Sequence, residues 1–510
     1  MSAVLYLLAI ATVLAPSAAA LSKPLNLTQV LLEEGADAAR DKAKVDGLSG
    51  WNHSSYSGFF HTETGKMMFG WYFEATAPKA ANPPLLIWLQ GGPGGSSMFA
   101  LFAEMGPFSV DADGLLTPRE TSWAVPYDML FIDNPVGAGF SFADTDDDYC
   151  TDTKDCVARN LYSLLTQFYQ IFPTKLNADL YITGESYGGH YVPAFGAKIV
   201  EENKQKNAKV PLAGVAVGDG WIDPINMIPG GRAARRSPDS DLAARLVSSD
   251  RLVSVGSPRA SSRRPRRHAP SRAGYPEFFW NIGVSSVAQK AKIQEYCDST
   301  VEKIEQGDLL GAFDVWDEML NGDVWPYANY FHNISGSNDY DNFMNTNAPP
   351  AFDYYGAYVT RDDVREALHV GDTPFGVNAS DCETHLLADF HVSYRPELET
   401  ILNASLKVLL YSGQLDVIIA SALTERALPF LNFPTSQKFA AAPRKVWRIH
   451  DNDAEVAGFA QTTPDSNLAR VVVRGAGHIV PGDQPDRALD MITRFVEDLP
   501  YSNQPNPKAA

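Results

Sequence analysis

The sequence predicts an α/β protein: a mostly parallel central sheet flanked by helices, with a helical cap inserted between its strands. Two observations carry that prediction. Short apolar runs at 85–89 (LLIWL), 178–183 (ADLYIT), 406–411 (LKVLLY) and 470–474 (RVVVR) have the length and composition of buried strands. Each runs into a loop rich in small or turn-forming residues, and a helix-length stretch, 188–204, follows one of them.

The remaining elements fit the same frame. Residues 55–60 and 67–74 read as an N-terminal hairpin, and 129–133 and 215–218 as further strands. Gly218-Asp219-Gly220-Trp221 closes the first half of the core. Residues 222–354 break the alternation; they are irregular and aromatic-rich, with helical patches at 284–306 and 308–320. The expected order is a leader (1–20), a first core part (21–221), a cap (222–354), a second core part (355–500) and a tail (501–510). One domain with an insertion suits 510 residues that are 45% hydrophobic.

The loops carry the chemistry. Gly184-Glu185-Ser186-Tyr187-Gly188 stands between a strand and a helix, where G-x-S-x-G forms a sharp turn that raises the serine above the sheet. A serine hydroxyl needs a base to take its proton, and the base needs an acid to orient it. Asp416 ends the loop after 406–411, and His478 ends the loop after 470–474. Ser, Asp, His is the chain order of α/β-hydrolases, each residue on a loop after a strand. Taken singly, Asp416 reads as a turn or cap carboxylate and His478 as a structural hydrogen-bonder; three matches at strand ends favour a triad. Acyl transfer also needs donors for the oxyanion. Gln90-Gly91-Gly92-Pro93-Gly94-Gly95 lets backbone N–H groups approach a substrate, so the hole is assigned to the amides of Gly92 and Tyr187. A phosphate loop is disfavoured, because no G-K-[ST] ending follows.

Together WLQGGPGGSS, GESYGGHYVP, YSGQLD and GAGHIVPGDQP resemble the serine carboxypeptidase family, most closely its vitellogenic-like branch, over residues 46–499. The resemblance implies an acid-favoured exopeptidase that removes single residues from peptide C-termini. It also places Gln90, Gly91, Glu104 and Glu185 where the family binds the substrate's free carboxylate. Two glutamates repel an anion unless protonated, so binding should favour acid. Read without the motif, Glu185 is a helix N-terminal charge and Glu104 a solvated residue. In the family the cap and Tyr187 shape the side-chain pockets. Two departures stand out: Gln90 replaces the family's usual Asn, and Gly95 its usual Cys.

Composition bounds the setting. A net charge of −19 argues against nucleic-acid partners. The apolar stretch 4–14, ending in Ala18-Ala19-Ala20, reads as a signal peptide too short to span a membrane. A secreted or lysosomal protein is expected, and sequons at Asn26, Asn52, Asn333, Asn378 and Asn403 fit that route. Cys150, Cys156, Cys297 and Cys382 predict two disulfides of open connectivity, Cys150 and Cys156 being able to close a small loop. No metal or organic cofactor is expected; the partners are peptide or protein C-termini as substrate.

One segment fits none of this. Residues 231–274 hold eleven Arg, three Asp, no Lys and no aromatic residue, a composition that predicts disorder. Removing them joins Met227-Ile228-Pro229-Gly230 to Tyr275-Pro276-Glu277-Phe278 and restores a family-like reading, so they read as translated intron or a gene-model artefact. The rival is an Arg-rich processing loop or polyanion-binding arm. Two other functions stay open at this level: an esterase or acyltransferase using the same triad, and a binding or storage product if the segment disrupts the cap.

Overall fold

The computed structural model describes residues 23–48, 50, 53–205, 209–229, 274–322, 328–376, 379–464 and 466–501. The expected leader, residues 231–273 of the Arg-rich segment, Asn52, Asn378 and the tail beyond 501 lie outside these residues.

Thirteen strands are found among the described residues: β1 (Ser55–Glu63), β2 (Lys66–Phe73), β3 (Leu85–Leu89), β4 (Phe108–Val110), β5 (Leu116–Pro118), β6 (Asp128–Ile132), β7 (Phe142–Ala143), β8 (Leu180–Glu185), β9 (Leu212–Gly218), β10 (Lys407–Gly413), β11 (Lys445–Trp447), β12 (Gly458–Gln461) and β13 (Leu468–Val473). The main sheet runs β1-β2-β6-β3-β8-β9-β10-β13-β12-β11, with β7 beside β2. From β6 to β13 every pair is parallel, and the antiparallel pairs lie toward the two edges. β4 and β5 form a separate two-stranded ribbon.

Burial on both faces explains why the central strands read as unbroken apolar runs instead of alternating ones. Leu85, Ile87 and Leu89 of β3 join one core, while Leu86 and Trp88 join the other. The same alternation places Leu180 and Ile182 of β8, or Val408 and Leu410 of β10, opposite Tyr181 and Leu409. The first core takes apolar residues from the helices Ala158–Ile171, Gly188–Gln205 and Arg395–Asn403. The second takes Met98 and Phe102 from Ser97–Ala103, with Met491, Ile492 and Phe495 from Pro485–Val496.

Register positions the site. Leu89 lies beside Gly184, Glu185 beside Gly218, Gly218 beside Tyr411, and Gly413 beside Val473. Five adjacent parallel strands therefore end at one edge, and the loops that follow them open on a common crevice. Between β9 and β10 come helices including Tyr275–Asn281, Val287–Gln306 and Leu309–Met319, near the predicted helical patches.

Candidate active site

β8 delivers the nucleophile elbow. Ser186 has φ of 59°, a left-handed conformation that non-glycine residues hold only under local constraint. The constraint is visible: its N–H donates to the Gly218 carbonyl at 3.0 Å, and its carbonyl accepts from Gly189 at 2.8 Å and Trp221 at 3.0 Å. Ser186 is half-buried between fully buried Glu185 and Tyr187, so the turn brings it to the surface of the crevice.

The glycine loop after β3 lies directly on this elbow. A Cβ on Gly91 would stand 2.6 Å from Ser186 Cβ and 2.8 Å from the Tyr187 nitrogen, so only glycine fits there. Gly92 follows with φ of 116°. The far end of the loop is tied to β6 through buried Asp133, whose Oδ1 accepts from Ser96 Oγ at 2.6 Å and the Ser97 N–H at 3.0 Å. Its Oδ2 accepts the Phe140 N–H at 2.8 Å.

The acid and base loops are equally close. A Cβ on Gly413, the last residue of β10, would stand 1.8 Å from the Gly477 carbonyl oxygen, and Leu415 donates to the Ala476 carbonyl at 2.8 Å. This contact brings Asp416 and His478 together: Asp416 Oδ2 lies 3.0 Å from His478 Nδ1. Asp416 Oδ1 accepts the Ile419 N–H at 3.0 Å, fixing the carboxylate plane. The His478 N–H donates to the Asp341 carbonyl at 2.7 Å, which joins the segment after the cap helices to the base loop.

Gln90, Glu104 and Glu185 form a buried group beside the elbow. Trp88 Nε1 donates to Gln90 Oε1, and Gln90 Nε2 donates to Glu185 Oε1, both at 2.8 Å. The amide is therefore oriented from both sides. As two carboxylates, Glu104 would have neither oxygen partnered and Glu185 would leave Oε2 orphaned; one proton between them pairs two of these three oxygens and relieves the repulsion. Burial, then the Glu185 charge, pushes Glu104 well above the usual carboxylate range. Burial raises Glu185 to about 7, with His478 and Gln90 opposing the shift. The reading of Glu104 as a solvated residue is thus incorrect, because the turn after Ser97–Ala103 buries it.

His478 is subject to opposing effects. Burial disfavours its charge, but Asp416, then Asp341 and Glu185, outweigh burial and raise it to about 9. Burial also raises Asp341 to about 7. As Asp341 and Glu185 take up protons, they release part of their hold on the imidazolium. Asp341 was not foreseen as a site residue; nothing in its sequence setting marks it, since only the fold returns that segment to the crevice. In the sequence Asp219 stands only as part of a strand end. One ligand atom each from Asp219, Asp416 and His478 lies within 4.8 Å of the others, a spacing that could also suit a cation. Asp416 already faces Nδ1, so this spacing suits proton sharing.

Tyr187 is more enclosed than a pocket wall. Its ring is buried, and its hydroxyl donates to Asp389 Oδ2 at 2.7 Å; Tyr394 donates to Asp389 Oδ1 at 2.8 Å.

The expectation of two disulfides is half correct. Cys150 and Cys156 are bonded, while Cys297 and Cys382 are separate buried thiols. Cys297 sits in the helix Val287–Gln306 and Cys382 in Ala379–Leu386, and the fold does not pair these elements. Among the described sequons, Asn333 and Asn403 are exposed, and Asn26 caps the helix Leu27–Glu33 by accepting the Gln29 N–H at 3.0 Å.

Comparison with known proteins agrees with this architecture. The family model described as serine carboxypeptidase matches residues 47–498. The chain is 38% identical to a human protein named probable serine carboxypeptidase CPVL, over 93% of this chain and 90% of that one. It is 35% identical to the venom serine carboxypeptidase of Apis mellifera (93% and 91% covered) and 32% identical to the vitellogenic carboxypeptidase of Aedes aegypti (93% and 90%). The crystal structure of Kex1(Δ)p, a prohormone-processing carboxypeptidase of Saccharomyces cerevisiae, shares the fold with a TM-score of 0.66 at 20% identity, covering 90% of this chain and 96% of that one. A family match across almost the whole chain, with motif-bearing loops gathered at one edge of the sheet, shows that this chain belongs to the serine carboxypeptidase family.

Proposed function

We propose that this carboxypeptidase works through Ser186, His478 and Asp416, with the amides of Gly92 and Tyr187 as oxyanion donors and Gln90, Gly91, Glu104 and Glu185 as the site for the substrate's free carboxylate. The observation that carries this reading is the buried contact between His478 Nδ1 and Asp416 at 3.0 Å, in the same crevice as the strained Ser186 elbow. Ser186 attacks the C-terminal peptide carbonyl as His478 takes its proton; the proton then passes to the leaving amine. Water, activated by the same imidazole, cleaves the acyl-enzyme and releases the shortened peptide. Asp416 holds the imidazole and its developing charge. A protonated Glu104–Glu185 pair donates to the incoming carboxylate, and Gln90 does so at any pH. Activity is acid-favoured for that reason.

Passage through the secretory pathway to a secreted or lysosomal destination is part of the proposal. It is supported by the apolar leader and the Cys150–Cys156 disulfide. Exposed Asn333 and Asn403 are the best placed described residues for glycans. Among the described residues no helix is long and apolar enough to cross a membrane.

The test is release of the last amino acid from an N-blocked peptide with a free C-terminus, using protein made with and without residues 231–274. Ser186→Ala should lower kcat by at least about a thousandfold, because the nucleophile is lost. Equal turnover of the C-terminally amidated peptide would remove the carboxylate-site reading while leaving the triad.

A further inference from the structure

We propose that Asp219 is a positioning residue of the triad: it keeps a proton behind Asp416 and donates it to that carboxylate as a hydrogen bond. The inference rests on the triad reading above.

Asp219 is the first residue after β9, with a left-handed φ of 43° and no exposed surface. Its backbone is pinned, the N–H donating to the Tyr411 carbonyl at 2.8 Å. Its two side-chain oxygens share one backbone donor, the Gly413 N–H, at 3.0 and 3.2 Å. So held, its carboxyl faces Asp416 and His478 within the 4.8 Å cluster.

Two ionised carboxylates this close in a buried site repel each other, and one proton between them relieves the repulsion. The surrounding contacts decide which group keeps it. Asp416 accepts from Ile419 on one oxygen and faces His478 Nδ1 with the other, an environment built for the anion. Among the described residues, Asp219 has a single backbone donor, the Gly413 N–H, between its two oxygens. Burial, then the charges of Asp416 and Glu185, holds Asp219 protonated well above the usual carboxylate range. The other titratable or charged groups around it are His478, the Tyr411 hydroxyl and Arg470. The Arg470 guanidinium is committed to Glu425 and to Ser421.

A protonated Asp219 orients Asp416 without adding charge. An ionised Asp219 places a second negative charge behind the triad, stabilises the His478 imidazolium and stops the imidazole from accepting the Ser186 proton. Asn at this position would supply an N–H donor on a side chain of the same length and never ionise.

The experiment follows Ser186 labelling by a fluorophosphonate, which needs the activated serine but no substrate carboxylate. Wild type, Asp219→Asn, Asp219→Ala and Ser186→Ala are compared across roughly pH 4–9, a span set by carboxyl and imidazole titration, with circular dichroism confirming folding. Asp219→Ala should slow labelling about tenfold or more at every pH, since Asp416 loses a buried donor. Asp219→Asn should restore most of that loss near pH 5. At alkaline pH it should label faster than wild type. Folded Asp219→Asn that labels no better than Asp219→Ala near pH 5, or that follows the wild-type profile throughout, overturns the proposal. Wild type that labels no faster than Ser186→Ala overturns the triad reading and this inference with it.

Discussion

At the scale of the residue, function depends on where protons reside. Glu104 and Glu185 are paired acids whose burial makes a shared proton favourable, and the Gln90 amide beside them is oriented by Trp88 and Glu185. Raising the pH through about 7 ionises Glu185, and the pair then repels a substrate anion. The KM for a free-acid peptide should therefore rise roughly tenfold or more across that range, one pKa unit being worth a factor of ten. In the Glu104→Gln/Glu185→Gln double variant that rise should be absent, because both side chains stay neutral donors. An ester substrate lacking the free carboxylate should show little KM change in either protein. Steady-state KM at closely spaced pH values decides the matter, and a double variant that retains the wild-type slope would assign it to another group.

At the scale of the element, the oxyanion loop has no secondary structure of its own and depends on anchors. Asp133 is one of these, linking Ser96, Ser97 and Phe140 through three hydrogen bonds of 2.6–3.0 Å. Asp133→Ala would orphan buried donors at about 1–3 kcal/mol each, less whatever local rearrangement recovers. The expected result is a clear drop in melting temperature. The fall in kcat should exceed that in substrate affinity, because the Gly92 amide serves the transition state more than the bound peptide. A variant with lowered melting temperature and unchanged kcat would show that the glycines position the loop unaided. The motifs WLQGGPGGSS and GESYG made both loops legible in the sequence. Their mutual contact was not, since Gly91 meets Ser186 only when β3 and β8 are adjacent.

At the scale of the whole molecule, the buried acids couple stability to pH. Folded Glu185 and Asp341 hold protons up to about 7, and Glu104 and Asp219 beyond the usual range, so the folded chain binds more protons than the unfolded one. Stability from each of these falls as pH rises from its unfolded value through its folded one. Burial depresses His190 and His391, which oppose the trend, but their contribution is lost only on the acid side, below roughly pH 6.5. The melting temperature should therefore fall as pH rises through about 7. Calorimetry at fixed ionic strength checks the sign, and a rising melting temperature would mean these acids are ionised in the fold. At the same scale, the described flanks of the Arg-rich segment touch: a Cβ on Gly274 would stand 2.5 Å from Pro229 Cγ, and Gln294 Nε2 donates to the Pro229 carbonyl at 2.8 Å. The fold thus brings the two flanks together, and a chain lacking residues 231–274 is expected to fold.

The family, the central strands and the loops on which the chemistry stands are legible in the sequence, because those features are local. Apolar runs, glycines and the G-x-S-x-G turn each act within a few residues. Short strands such as β11 and β12, and the β4–β5 ribbon, were not legible, since three or four residues carry too little periodicity. Which acids surround His478 is decided by the tertiary structure, because Asp219, Asp341 and Glu185 arrive from separate segments. It also decided that Cys297 and Cys382 stay unpaired, for a disulfide depends on the distance between side chains and not on an even count. The proton balance of the crevice follows from the same long-range packing: burial and neighbouring charge set each acid's affinity, and neither is a property of the residue alone.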